Sequence, residues 1–259
     1  MPDVNGVEIA VNQHIQNCLI KEFSGFGIRP HGFCWILQST TMDCRIGIDL
    51  RSNGDNVISN CKIRNGDIGI VLGFAKSADI YNCWIEEMIQ YGIYQESGSV
   101  GAGKYCSYNI IGNRINHTDY CSIYIQEMYH SIINCTCNRG GGYYAGKVLQ
   151  DITAQDFDKV SCLYIGERLE NCNITLATSN TELYDSGEPV GNVGVVPIIS
   201  NKILVGNTIN ISGTSNEDKA IHTVNDYYLT QSYNNIVISN GRYYNLYTEQ
   251  YSTGWATIE

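Results

Sequence analysis

Charge is scarce in this 259-residue sequence: Asp, Glu, Lys and Arg make up 16% of it, against about 25% in an average soluble domain. A positive excess is missing too, because 26 acidic residues stand against 16 basic ones and leave a net charge of -10 at neutral pH. Such a chain repels phosphate backbones, so nucleic acid is not an expected partner. Apolar runs such as Val195-Val196-Pro197-Ile198-Ile199 fall far below the roughly 18 residues of a membrane-spanning helix. Membrane insertion is therefore not expected, and Met1-Pro2-Asp3 lacks the basic start of a signal peptide. Phe numbers only 5 while Tyr reaches 19 and Gly 26, a balance that disfavours a helix-rich fold. An even cysteine framework is also lacking. Eleven cysteines in a chain this long read as mostly free thiols, which fits synthesis in a reducing cytoplasm.

What is present is a repeat. Ile58-Ser59-Asn60-Cys61-Lys62-Ile63 recurs as Ile15-Gln16-Asn17-Cys18-Leu19-Ile20, Ile80-Tyr81-Asn82-Cys83-Trp84-Ile85 and Leu169-Glu170-Asn171-Cys172-Asn173-Ile174. Weaker copies run from Ile36, Ile110, Ile132, Leu204 and Ile238. With the fourth position as marker, the copies stand at 18, 39, 61, 83, 113, 135, 172, 207 and 241, a base period of about 22 with longer intervals later. Eight or nine residues after each of the first five markers comes Gly27-Ile28, Gly47-Ile48, Gly69-Ile70, Gly92-Ile93 or Ser122-Ile123. Leucine-rich repeats share this period but need an apolar residue five before the slot. Here Gln13, Asn56, Ala78, Tyr108, His130 and Glu167 occupy it. Short β-branched runs broken by Gly, Asn and Asp indicate strands that bury themselves only against the next turn of a coil.

These hexamers and Gly-Ile pairs resemble the right-handed parallel β-helix superfamily, the fold of pectate lyases, polygalacturonases and many bacteriophage tailspikes. The resemblance covers about residues 7 to 245. It implies an all-β, single-stranded parallel β-helix of about nine turns in one domain over 1–259, with a C-terminal cap or association segment over about 243–259. It also implies a polysaccharide partner, and activity as a hydrolase or lyase. A tailspike-like homo-oligomer, with a trimer favoured, at a virion or extracellular surface goes with it. The first turn is expected to offer an open strand edge to a partner subunit or larger assembly.

In a parallel coil like positions stack about 4.8 Å apart, so Cys18, Cys61, Cys83, Cys135 and Cys172, with Asn113 and Asn207, are expected in one ladder of buried side chains rather than a metal centre. Asn17, Asn60, Asn82, Asn134 and Asn171 are expected in turns, their amides bonding the backbone of the next turn. On the strand after each Gly, alternation turns Ile48, Leu50, Ile70, Leu72, Ile93, Gln95, Ile123 and Ile125 inward. Asp49, Arg51, Tyr94, Glu96, Tyr124 and Gln126 then face out, with Glu127 just beyond. The residues added in the longer intervals, within 98–105, 146–159 and 179–200, are expected to leave one corner and wall that face. Tyr94 and Tyr124 would stack on sugar rings, and Arg51 and Gln126 would bind polar groups. Glu96, Glu127 and Asp49 are the candidate catalytic carboxylates, since glycoside hydrolysis needs two at about 5 to 5.5 Å or about 6.5 to 9.5 Å.

A lyase would need a base and commonly Ca²⁺ to neutralise a uronate; no other cofactor is expected. The clustered Asp, His-Gly and Arg-x-Lys pattern of polygalacturonases is not recognisable, so no catalytic residue is carried over from those enzymes. Gly98 to Lys104 fits Gly-x4-Gly-Lys, but Tyr105 stands where a phosphate loop needs a hydroxyl. Three functions stay open: a polysaccharide-degrading enzyme, a non-catalytic glycan-binding fibre and a structural coil. Fold alone does not separate them.

Overall fold

The computed structural model describes residues 3–51, 54–73, 77–95, 106–138, 161–179 and, beyond these, the strand segments between 184 and 258 with Gly206 and Asn207; side chains are described up to 177 and over 206–212. Every regular element among them is a strand. The strands wind as a coil with three parallel sheets, each strand pairing with its equivalent one turn before and after. Val7–Ile9, Phe26–Pro30 and Ile46–Leu50 open the first sheet, His14–Gln16, Trp35–Leu37 and Asn56–Ser59 the second, and Leu19–Lys21 and Thr40–Met42 the third. Lys62–Leu72 and Trp84–Gln95 each run from the third sheet into the first.

Parallel register turns the sequence repeat into columns. The first sheet stacks Ile28, Ile48, Ile70, Ile93, Ile123 and Leu163 inside, all solvent-free. The second stacks Ile15, Ile36, Ile58, Ile80 and Ile110, and the third Ile20, Thr41, Ile63, Ile85, Ile115 and Cys137. The recurrent Gly marks the corner where the first sheet closes on the third: a Cβ on Gly69 would lie 2.7 Å from Ile85 Cγ2, and one on Gly92 2.5 Å from Ile115 Cγ2. Ser122 is tolerated in the next turn because Cys137 replaces Ile in the third-sheet column and touches the serine instead.

The turns follow the expected pattern up to the fifth copy and then depart from it. Asn17, Asn60, Asn82 and Asn171 have φ of 56°, 55°, 52° and 52°, the left-handed region that Asn tolerates best among non-Gly residues. Asn134 does not turn. It lies within strand Ile132–Asn138, paired with Ile111 and Thr175, and the left-handed residue of that turn is His130, at φ 44°. The sixth copy is therefore Met128-Tyr129-His130-Ser131-Ile132-Ile133, four residues before the one the Asn-Cys pattern indicates. Cys172 accordingly rests on Ser131, Asn173 N–H donating to Ser131 O at 2.9 Å, while Cys135 pairs with Asn113 and Leu176. Within the hexamers, it is Asn in the Cys slot whose amide bonds a neighbouring turn's backbone. Asn113 Oδ1 accepts from Cys83 N at 2.8 Å, and Asn207 Oδ1 from Cys172 N at 2.9 Å.

No disulfide joins the cysteines; ten are buried and Cys18 is partly so. Burial pushes the Cys172 thiol up to about 11 and raises Cys135 as well, so both stay protonated at neutral pH. At the far end, Gln250–Ser252 and Ala256–Ile258 pair antiparallel with Arg242–Asn245 and Asn234–Ile238. At the near end, the strands of the first turn pair on one side only among the described residues, with Val4, Val7, Val11 and Leu19 exposed.

Candidate functional site

The outer face of the first sheet carries most of the residues singled out from sequence, but it divides into two parts. In the earlier turns it is an apolar patch of Phe26, Ile46 and Val71, with Ile68 and Tyr94 packed against it. Asp49 sits beside this patch with no solvent exposure. Its carboxylate accepts from Arg29 Nη2 at 2.5 Å and Nε at 3.1 Å, and from Arg51 Nη2 at 2.7 Å and Nε at 2.9 Å. Burial raises its pKa, but the hydrogen bonds from Arg51 and then Arg29 outweigh it and leave the carboxyl below its ordinary value. A buried carboxylate with two cations clamped on it has no proton to give at neutral pH and no path to a substrate. Asp49 and Arg51 therefore hold each other in place, with Arg29, rather than facing a ligand together with the tyrosines.

In the later turns the same outward column becomes aromatic. Val71, Tyr94, Tyr124 and Tyr164 follow in register. Tyr124 lies between Tyr94 and Tyr164, with ring centres 5.0 Å away on both sides, and Tyr91 stacks on Tyr94 at 4.7 Å with Tyr120 against its edge. The one-turn spacing that aligns these rings also turns their faces on one another. What Tyr124 presents is thus a rim and a hydroxyl, and that hydroxyl donates to Gln126 Oε1 at 3.0 Å.

From the tyrosines a polar network leads along the sheet's C-terminal edge. Gln126 Nε2 donates to Glu167 Oε1 at 3.3 Å, and Gly166 makes the approach possible, since a Cβ there would meet Gln126 Oε1 at 2.3 Å. Glu127 is half-buried, accepts from Tyr129 Oη at 3.2 Å and lies in register with Arg168, which is paired in turn with Glu170 at 2.7 Å. Burial, and then the charge of Glu127, raise the Tyr129 pKa, so its hydroxyl remains a proton-bearing donor. Gly166 and Glu167 form a bulge opposite Gln126, and the strand that faces it is fastened from inside. Buried Gln95 accepts the backbone N–H groups of Gln126 and Glu127 through Oε1, at 2.6 and 2.8 Å, and its Nε2 donates to Tyr108 Oη, which donates to Gly73 O. Glu96 lies outside the described residues.

Tyr94, Tyr124, Gln126 and Glu127 are thus brought together, and Asp49 and Arg51 stand apart in the ion cluster. Sequence reading missed Glu167, Arg168, Tyr129 and Tyr164. Their signal was the Leu169 hexamer, whose upstream strand becomes the first-sheet partner of 123–129 once the sixth copy is framed at Ser131. The residues added in the longer intervals, 98–105, 146–159 and most of 179–200, lie outside the described residues. Residues 96–106 connect the first sheet to the second, whereas 139–160 and 180–195 connect the third to the first.

Among proteins compared with this chain, a family model for a right-handed β-helix region matches residues 3–109. The crystal structure of an alginate lyase from Paenibacillus sp. str. FPU-7 aligns over 86% of this chain and 74% of its own, with a TM-score of 0.58 and 17% identity. The chain is a right-handed parallel β-helix. At that identity the likeness of this β-helix to the lyase is one of fold. No curated protein matches the β-helix in sequence. Among its described residues no group of three or more His, Cys, Asp or Glu is placed to hold a metal ion, and no helix is long and apolar enough to cross a membrane.

Proposed function

We propose that this β-helix recognises a polysaccharide, laid along the outer face of the first sheet over Tyr94, Tyr124, Gln126, Glu127 and Glu167. The observation that carries the reading is the continuity of that surface. Phenol rims, an amide and carboxylates follow each other turn by turn along that sheet. Such groups suit the closely spaced hydroxyls of a sugar polymer, and the axial repeat suits an extended chain. The alginate lyase neighbour supports a polysaccharide as the ligand class. Cleavage is the finer reading. Glu127 and Glu167 come from strands one turn apart, about 5 Å at the backbone, within reach of either carboxylate spacing, and Glu96 precedes the same edge in sequence. Arg51 and Asp49 support the face without entering the chemistry.

Retention of the protein in gels cast with capsular, lipopolysaccharide and plant polysaccharides tests recognition. At least one polymer is expected to retard it, with Gln126→Ala weakening retention about tenfold, the loss of one or two good hydrogen bonds. Migration unaffected by every polymer rejects the proposal. Reducing ends and the absorbance of unsaturated uronates, followed over time with and without Ca²⁺, then decide cleavage. Glu127→Gln is expected to stop product release while retention persists. Retention by the wild-type protein without any product makes it a binder.

A further inference from the structure

The outer face of the third sheet has a charge opposite to that of the molecule. Its outward positions carry Lys21, Lys62, Arg64 and Arg114 against Glu86 alone, in a chain with a net charge of -10. Glu22 and Glu87 at the adjoining corner take Lys21 and Arg64, and Glu86 is shared between Lys62 and Arg64. Arg114 has no carboxylate partner among the described residues. At the centre stands Trp84, 41% exposed, in register with Lys62 in the turn before and Arg114 in the turn after. Lys62 Nζ lies 4.4 Å from its ring centre and the Arg114 guanidinium carbon 5.4 Å. With the Asn116 amide turned to face them, its oxygen accepts from both Arg114 Nε and Trp84 Nε1 at 3.2 Å, which fixes the guanidinium beside the indole.

We infer that this Lys62, Trp84 and Arg114 row is a second binding site, for an anionic polysaccharide bearing carboxylate or sulfate groups, separate from the first-sheet face. Two strand spacings put the cations about 10 Å apart, near the length of one disaccharide, so alternate sugars of an extended acidic chain meet a cation in turn. The indole edge between them supplies apolar contact to the intervening ring. Thr40 and Thr136 flank the row in the same column, and their hydroxyls suit sugar hydroxyls. A duplex or single-stranded nucleic acid fits less well, because its affinity grows with the number of phosphates neutralised and few cations are grouped here.

The test is titration of the whole protein at low salt with polygalacturonate, dextran sulfate, neutral dextran and a single-stranded oligonucleotide, read by tryptophan emission and by sedimentation. At least one acidic glycan is expected to bind and to change the emission, and which of the two does so identifies the anionic group. Neutral dextran is expected to do neither. Lys62→Gln combined with Arg114→Gln is expected to raise the Kd at least tenfold and flatten its salt dependence, and Trp84→Phe to remove the emission change. Melting curves confirm that both variants fold, since all three side chains lie on the surface. Gln126→Ala is expected to leave this binding intact, which separates it from the first-sheet site. Unaltered affinity in the double variant overturns the inference, as does binding of the oligonucleotide as tight as that of the acidic glycans.

Discussion

Asp49 shows how far a single residue can depart from the role its position in the repeat indicates. Alternation places it outward, yet the patch of Phe26, Ile46 and Val71 and the two guanidiniums bury it completely. Because its folded pKa is lowered, the carboxylate contributes stability that is fully present above its unfolded value near 3.9 and is lost as pH falls through the lower folded value. Asp49→Asn is expected to cost about 3 kcal/mol at neutral pH. In melting curves from pH 7 to pH 2, the gap between wild type and variant should stay constant down to about pH 5 and narrow below pH 4. A gap independent of pH would show that the carboxylate is not charged in the fold. Thr41 is the converse case. It interrupts the third-sheet isoleucine column, and its Oγ1 is buried without a hydrogen-bond partner. Thr41→Val keeps the shape and removes the unsatisfied hydroxyl, so a gain of about 1 kcal/mol is expected, seen as a rise of about 2 to 4 °C in Tm.

At the scale of elements, the corner between third and first sheets determines which residues the repeat must keep. Gly69→Ala puts a methyl 2.5 Å from Gly92 O and 2.7 Å from Ile85 Cγ2, and neither backbone nor a packed column yields cheaply. A loss of about 1 to 3 kcal/mol is expected from such overpacking. Ser122→Ala, in the equivalent position one turn beyond Gly92, is expected to lose less than 1 kcal/mol, since a Cβ is already accommodated there. Urea unfolding of the two variants measures the contrast, and equal losses would show that the corner is not what selects glycine. Much of this was legible beforehand. The Asn-Cys hexamer and the Gly-Ile pair give the sheet faces, inward residues and first four turns correctly, because backbone requirements at a turn and a corner restrict residue type strongly. The sixth copy was hidden because His130 and Ser131 meet the same requirements without the signature.

For the whole molecule, a coil of this kind is stabilised turn against turn, so its stability is graded along the axis. Amides near the open edge of the first turn, such as those of His14–Gln16, have neighbours on one side among the described residues. Those of Ser77–Tyr81 lie between two paired strands. Hydrogen exchange is expected to be at least tenfold faster in the former than in the latter, and uniform protection along the axis would show that the coil opens only as a unit. The same architecture gives the protein separate long faces. Tyr124 and its polar network lie on one, Trp84 and its cations on another, so a charge that is unfavourable for the whole chain can be reversed locally.

The amino-acid sequence by itself determined the parallel coil, its period and the line of residues along one outer face, because parallel stacking converts a linear repeat directly into columns. Only the tertiary structure decided what each column does. Whether a carboxylate is buried between arginines or left at an edge, whether a tyrosine keeps its ring face free, and which strand supplies Glu167 beside Gln126 depend on neighbours from other turns, and those neighbours are set by register shifts and insertions that the repeat does not encode.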